Sequence, residues 1–233
     1  ASLNDNRLTR SVGFWRNFTF SHQVLSVGVA SKTILERITG HRFEGKGGED
    51  IKQKAHAWWA DVQRRGEKQI LQEAVSTGGD GAGEQAERLA QAYPKEAQEA
   101  IIKGIQRATN PYVQEHLVRV LGGLHSPAID VTLRQQLRNG IDLNVRLEAA
   151  KALYQRNDPS AVPAMLSEWA RPTLSSERSG FRGRQLIEFL IETRQPQVME
   201  ALGRDLAKRS LELRRNIITS VPKDTAVKTF GDS

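Results

Sequence analysis

Two landmarks recur along this chain at one spacing. Asn110-Pro111-Tyr112-Val113-Gln114 returns as Asp142-Leu143-Asn144-Val145-Arg146, and Ser126-Pro127 returns as Asp158-Pro159, each 32 positions later. Two independent landmarks at the same offset mark a repeat. A period between about 20 and 50 residues is the signature of a stacked array in which each unit buries its apolar face only against its neighbours. Each unit between Asn110 and Pro172 holds two amphipathic patterns. Val113, Leu117, Val120 and Leu121 in one first helix correspond to Val145, Ala149, Ala150 and Leu153 in the other. Ile129, Leu133 and Leu137 correspond to Val162, Leu166 and Trp169 in the second helices.

The same helical period extends outward from this pair. Val24 to Thr39 reads as a helix with Gly40 as its C-terminal stop. After the glycine-rich stretch Gly45–Gly48, a helix opens on Glu49-Asp50. Its stripe is Ile51, Ala55, Trp58, Trp59 and Val62, which the spacing assigns to a buried face. Shorter helices are predicted over Glu67–Ser76, Glu84–Tyr93 and from Pro94 to about Ala108, with Gly78–Gly83 as a flexible loop. Beyond a longer connection from Arg171 to Gly183, helices are predicted over Arg184–Thr193, Pro196–Lys208 and Leu211–Val221. No segment of useful length alternates with period two, so no sheet is expected. The expected fold is all-α, an α-α superhelix of the solenoid kind with about five to six helix pairs. It divides as an aromatic-rich N-terminal extension or cap over 1–23, a helical array over 24–222 and a polar tail over 223–233.

Composition suits this reading. Apolar residues make up 38% of the 233, low for a compact globule and natural for helices wet on one side. No run approaches the ~18 apolar residues of a membrane span. The chain opens on Ala1 without a signal-peptide pattern, so it reads as an excised domain or a mature form, and the compartment stays open. There is no cysteine, which excludes disulfides, Cys-ligated zinc and thiol catalysis. The net charge of +7 concentrates at the ends: +5 over residues 1–66, −1 over 67–140 and +3 over 141–233. An excess of that kind invites an acidic partner, nucleic acid included, although mixed signs along each helix argue against it.

Catalytic and metal motifs do not emerge. No two of His22, His41, His56, His116 and His125 stand four residues apart, and His116 lies on a buried-face rhythm that suits a satisfied boundary histidine. The glycine-rich stretches lack the Gly-Lys-Ser/Thr ending of a phosphate loop, and there is no nucleophile elbow. No cofactor is expected. Two surface features remain. Phe14, Trp15, Phe18 and Phe20 form an aromatic segment that either folds back to cap the first helix pair or docks a partner. Arg178, Arg182 and Arg184 precede a helix start that could hold a phosphate or carboxylate, with Arg209, Arg214 and Arg215 able to extend the patch; the alternative is a solvated basic loop.

The segment from Asp142 to Leu153, with Asp before Val145-Arg146 and an alanine-rich face, resembles the first helix of a HEAT-like repeat. Asp158-Pro159 through Pro163 to Leu166 resembles its partner helix. Val27-Gly28-Val29-Ala30, then Ile38-Thr39-Gly40-His41-Arg42-Phe43, then Trp58-Trp59, is similar to an entry unit of bacterial HEAT-repeat proteins. The resemblance implies an inter-repeat ladder of hydrogen bonds through Asp142 and Arg146, with Arg214 as a later counterpart. The preceding unit departs from it, with Asn110 and Gln114 at those places. It also implies a non-enzymatic scaffold that presents a concave helical surface to a protein partner. The alternative is a basic nucleic-acid binder similar to the HEAT-like DNA glycosylases, for which Trp58, Trp59 and Asp61 would be the residues of interest.

Overall fold

The computed structural model describes residues 2–13, 23–171, 180–206 and 214–215, with side chains undescribed at 10–13, 23–24, 180–182 and 205–206. Eleven α-helices lie among them. They are α1 (Val27–Thr39), α2 (Gly48–Arg65), α3 (Glu67–Thr77), α4 (Ala82–Ala92), α5 (Pro94–Arg107), α6 (Pro111–Gly122), α7 (Pro127–Asn139), α8 (Leu143–Gln155), α9 (Ala161–Ala170), α10 (Gly180–Glu192) and α11 (Pro196–Leu206). The fold is all-α, as the periodicity predicts, and HEAT-like, as the resemblance implies. The chain divides into two compact units, Ala1–Val120 and Leu121–Ser233, the division falling within α6.

One small element corrects the expectation of no sheet. Strands β1 (Leu8–Gly13) and β2 (Gln23–Ser26) pair antiparallel, Leu8 opposite Ser26 and Val12 opposite Val24, with an irregular register between. The Thr9 hydroxyl donates to the Leu25 carbonyl at 2.8 Å. A ribbon this short carries too few alternating residues to register in sequence. It also moves the start of α1 from Val24 to Val27, where Ser26 caps the helix by accepting from the Val29 amide at 3.3 Å.

In the first unit α3, α4 and α5 pack on one another around Leu71, Val75, Ala86, Leu89, Ala97, Ile101 and Ile105, all buried. Two glycines allow this. Gly78 ends α3 in left-handed geometry (φ 65°), and a Cβ there would stand 2.5 Å from the Gly104 carbonyl oxygen. A Cβ on Gly104 would stand 2.4 Å from the Val75 carbonyl oxygen. The stretch expected as a flexible loop is shorter than the sequence suggests, because Ala82 and Gly83 already belong to α4.

In the second unit α8 packs on α7, α9 and α10. Val145, Ala149, Ala150 and Leu153 are buried, and the small alanines let the neighbouring helices approach closely. The landmarks of the repeat mark helix starts. Pro111 and Pro127 open α6 and α7, where proline's missing N–H is harmless, and Asp142 caps α8 by accepting from the Val145 amide at 3.1 Å. Asp158 accepts from the Ser160 amide and hydroxyl just before α9. Residues Arg171–Gly183 and Leu211–Val221 are described only in part, with 214–215 helical.

Candidate functional site

The least closed part of the described chain is the pair α1 and α2. Helix α2 buries none of its residues, although its apolar stripe runs at helical spacing from Ile51 to Val62. Trp59 is 53% exposed, Trp58 is half-buried, and on α1 Ile34 and Ile38 are exposed. The expectation that Trp58 and Trp59 are core residues is therefore corrected. Adjacent helical residues point about 100° apart, since an α-helix has 3.6 residues per turn, so two neighbouring tryptophans cannot share the centre of one face.

Between the two helices lies a groove of about 580 Å³. Leu35 and Ile38 form one wall, and Ala55, Trp58, Trp59 and Val62 the other, with Leu3 of the 3-10 turn Ser2–Asn4 reaching in. That turn packs on both helices. Lys52 and His56 from α2, Glu67 from α3 and Arg88 from α4 complete the lining.

The turn after α1 sets the groove's shape. Gly40 closes the helix at φ 66°, its N–H donating to the Glu36 carbonyl. The Thr39 hydroxyl donates to the Leu35 carbonyl at 2.8 Å and accepts from the His41 amide at 3.2 Å. The Glu36 carboxylate accepts from the Phe43 amide at 2.7 Å. These bonds drive Phe43 into the core, 1% exposed, and set the His41 ring against it, edge to face at 4.8 Å. On its other side His41 stacks on Trp58, with centroids 5.8 Å apart and planes 23° apart. The His41 Nδ1 also lies 3.3 Å from the Gln85 amide nitrogen. Burial pushes the His41 pKa below its ordinary value, against the pull of Glu36. Trp58 is thus anchored by its neighbours, and Trp59, 6.3 Å from it, is left to line the open groove.

The charges at the groove are largely committed. Arg88 makes a bidentate pair with Glu67 at 2.9 and 3.3 Å, and the Tyr93 hydroxyl donates to the same carboxylate at 3.3 Å. Asp61 sits between Arg64, at 2.5 Å, and Arg65, at 3.2 Å, and the hydrogen bond from Arg64 holds its carboxyl below the usual range. Arg65 also pairs with Glu73. Asp61 is an ionised member of a surface ion-pair cluster.

The other sequence-predicted residues fall elsewhere. Phe14, Trp15, Phe18 and Phe20 lie outside the described residues, as do Arg178 and Arg209, and the Arg182 side chain is undescribed. Arg184 is exposed and pairs along its own helix with Glu188 at 2.8 Å. Arg214 and Arg215 are helical, Arg214 partly buried and Arg215 exposed. Arg146 reaches Glu168 of α9 at 2.9 and 3.2 Å and the Gly140 carbonyl, beyond the end of α7, at 2.8 Å. Glu168 also accepts from Arg171 at 3.2 Å, and Arg134 pairs with Asp158 at 2.7 Å. Arg156 reaches Asp130 and the carbonyls of Gly122 and Leu124. These charges bind helix to helix within the second unit. His116, half-buried, meets Glu87 at 2.6 Å. Among the described residues no group of three His, Asp or Glu stands close enough to hold a metal ion, and no helix is long and apolar enough to cross a membrane.

Sequence reasoning did not foresee the groove, although it named most of the side chains in it. The adjacency of Trp58 and Trp59 was the available signal. The parts contributed by Leu3 and the Arg88–Glu67 pair arrive from distant positions and leave no local trace.

Residues 98–180, 83 of the 233, match the family model for HEAT repeats. The matched stretch runs from within α5 to the start of α10, and over it the chain is similar to HEAT repeats. No curated protein and no solved structure matches the chain.

Proposed function

We propose that this chain is a non-catalytic protein-interaction scaffold whose contact surface includes the α1–α2 face. HEAT repeats generally mediate contacts between proteins, and that is the starting point. The observation that carries the reading further is the exposed apolar groove beside Trp59, in a unit whose α3–α5 core is closed. Exposed apolar surface gathered in a concave site marks a place of association. Among the described residues Arg88, Arg134, Arg146 and Arg156 are each held in ion pairs that join neighbouring elements.

The test is site-specific photo-crosslinking in the source cell. A photoreactive residue at Ile38 or Trp59 should capture a discrete protein, and one at Val131, exposed in the second unit, serves as comparison. Capture only from Val131 would leave a scaffold but remove the α1–α2 face from it. Failure to capture protein at any position would remove the scaffold reading.

A second reading draws on the net charge of +7 and the sequence pI near 9.9, which favour nucleic acid. Against it, exposed arginines such as Arg42, Arg64, Arg184 and Arg204 are each paired with a carboxylate. Titration with a labelled DNA duplex separates the two. A nucleic-acid binder should lose affinity steeply as salt rises, and no binding at low salt would end this reading.

A further inference from the structure

We infer that the groove between α1 and α2 takes an acidic amphipathic helix of a partner protein. The inference rests on the scaffold reading above and specifies its ligand. Three observations carry it.

The first concerns backbone. Both walls are helices whose N–H and C=O groups are already bonded internally, so the groove offers no edge for strand addition. An extended peptide laid in it would leave its own N–H and C=O groups facing Leu35, Trp58, Trp59 and Val62, where nothing can pair with them. A helix satisfies its backbone internally and presents only an apolar stripe, the usual helix-in-groove arrangement.

The second concerns space. A groove of about 580 Å³ between two helices lies within the size range of binding sites, and a third helix can seat side chains at i, i+3, i+4 and i+7 against such walls. Trp59 stands at the edge as the kind of large, partly exposed anchor that dominates binding energy when covered.

The third concerns charge. The carboxylate that lines the groove, Glu67, is saturated by Arg88 and Tyr93. Lys52 makes only a 3.6 Å approach to Glu49, whose other oxygen accepts from Asn4. The groove's lining thus carries two cations, Lys52 and Arg88, against one carboxylate, and of the two Lys52 is the less engaged. A partner lysine would meet those cations, with Glu67 already engaged. Electrostatic complementarity of this kind selects between partners that share an apolar face.

The experiment uses the full chain and two fluorescently labelled, amidated 14-residue helical peptides. Both carry Leu at i, i+3, i+4, i+7 and i+11; one has Glu at the flanking positions and the other Lys. The acidic peptide should bind, more weakly as salt rises, and the basic one should bind far less. Trp59→Ala should weaken the acidic peptide about 30-fold, as loss of a tryptophan anchor does. Lys52→Glu should weaken it about fivefold, the scale of an exposed charge pair, without weakening the basic peptide. Both substitutions are at the surface, and circular dichroism checks that each variant stays folded. Equal or tighter binding of the basic peptide overturns the inference, as does acidic-peptide binding indifferent to both substitutions. Two results would assign the groove to another occupant and equally overturn it. One is acidic-peptide binding that emerges only after Phe14, Trp15, Phe18 and Phe20 are replaced by Ser. The other is self-association of the chain that Trp59→Ala abolishes. If the peptides fail while crosslinking from Trp59 still captures a protein, the helix inference falls and the scaffold reading stands.

Discussion

Helices α2 and α8 carry the same kind of sequence signal. In α2 the stripe is Ile51, Ala55, Trp58, Trp59 and Val62; in α8 it is Val145, Ala149, Ala150 and Leu153. All four α8 residues are buried and none of the five in α2 is. The difference lies in what each helix meets. Helix α8 has α7, α9 and α10 against it, and its small residues let them approach. Among the described residues α2 meets chiefly the 3-10 turn Ser2–Asn4 and α3, and its bulky tryptophans hold the apolar face open. An apolar stripe states that a helix has a face to cover. Whether a neighbour covers it is a property of the assembled chain.

The comparison breaks most readily at the centre of each stripe. Leu153→Ala should destabilise the chain by about 3–4 kcal/mol, since it leaves a cavity in a closed core. Trp59→Ala removes a larger side chain but should lower the unfolding free energy measured in urea by less than about 1 kcal/mol, because over half of Trp59 already faces water. Comparable losses from both would show that the groove is closed in solution.

Charge inside the second unit gives the next effect. Arg146→Ala strips the main partner from Glu168, which is 7% exposed, and should cost about 3 kcal/mol, reduced to the extent that Arg171 turns inward. The corresponding surface change in the first unit, Arg64→Ala beside Asp61, should lie within about 0.5 kcal/mol. Chemical denaturation of both variants measures the contrast.

Close approach comes next. Gly104→Ala would normally favour a helix, yet its Cβ would press on the Val75 carbonyl oxygen, so a loss of about 2 kcal/mol is expected. A neutral or stabilising result would mean that α3 and α5 have room to separate.

The smallest effect is in pH. His41 has its pKa depressed in the fold by burial, so the folded chain favours the neutral ring. Its contribution is present above the ordinary value of 6.5 and is lost as pH falls through the folded value. At Asp158 burial pushes the carboxyl up, but hydrogen bonds from Ser160 and the Arg134 pair outweigh it and hold it below the ordinary 3.8. Its contribution is present above 3.8 and is lost only as pH falls through the still lower folded value. Urea midpoints at descending pH should therefore show an earlier step that His41→Gln removes and a later one that Asp158→Asn reduces.

Much of the fold was legible because helix signals are local. Gly40 stops α1 where the sequence places it, and the Pro and Asp landmarks of the 32-residue period stand at helix starts. The ribbon of β1 and β2 was not legible, since its pairing joins residues 10 to 18 apart with little alternation in either strand. The site was legible in part. Trp58, Trp59 and the Ile38–Phe43 turn stood out, but the turn's purpose did not. Only the folded chain shows that Thr39 and Glu36 fold the backbone back, bury Phe43 and brace His41 against Trp58.

By itself, then, the sequence determined the helices, their ends and the repeat they form, because caps, stops and periodicity act over a few residues. Tertiary structure decided which apolar faces were closed and which charges were paired. Burial depends on distant neighbours arriving, as Leu3 and Arg88 do at the groove and as Glu168 does at Arg146. No window of local sequence contains those partners.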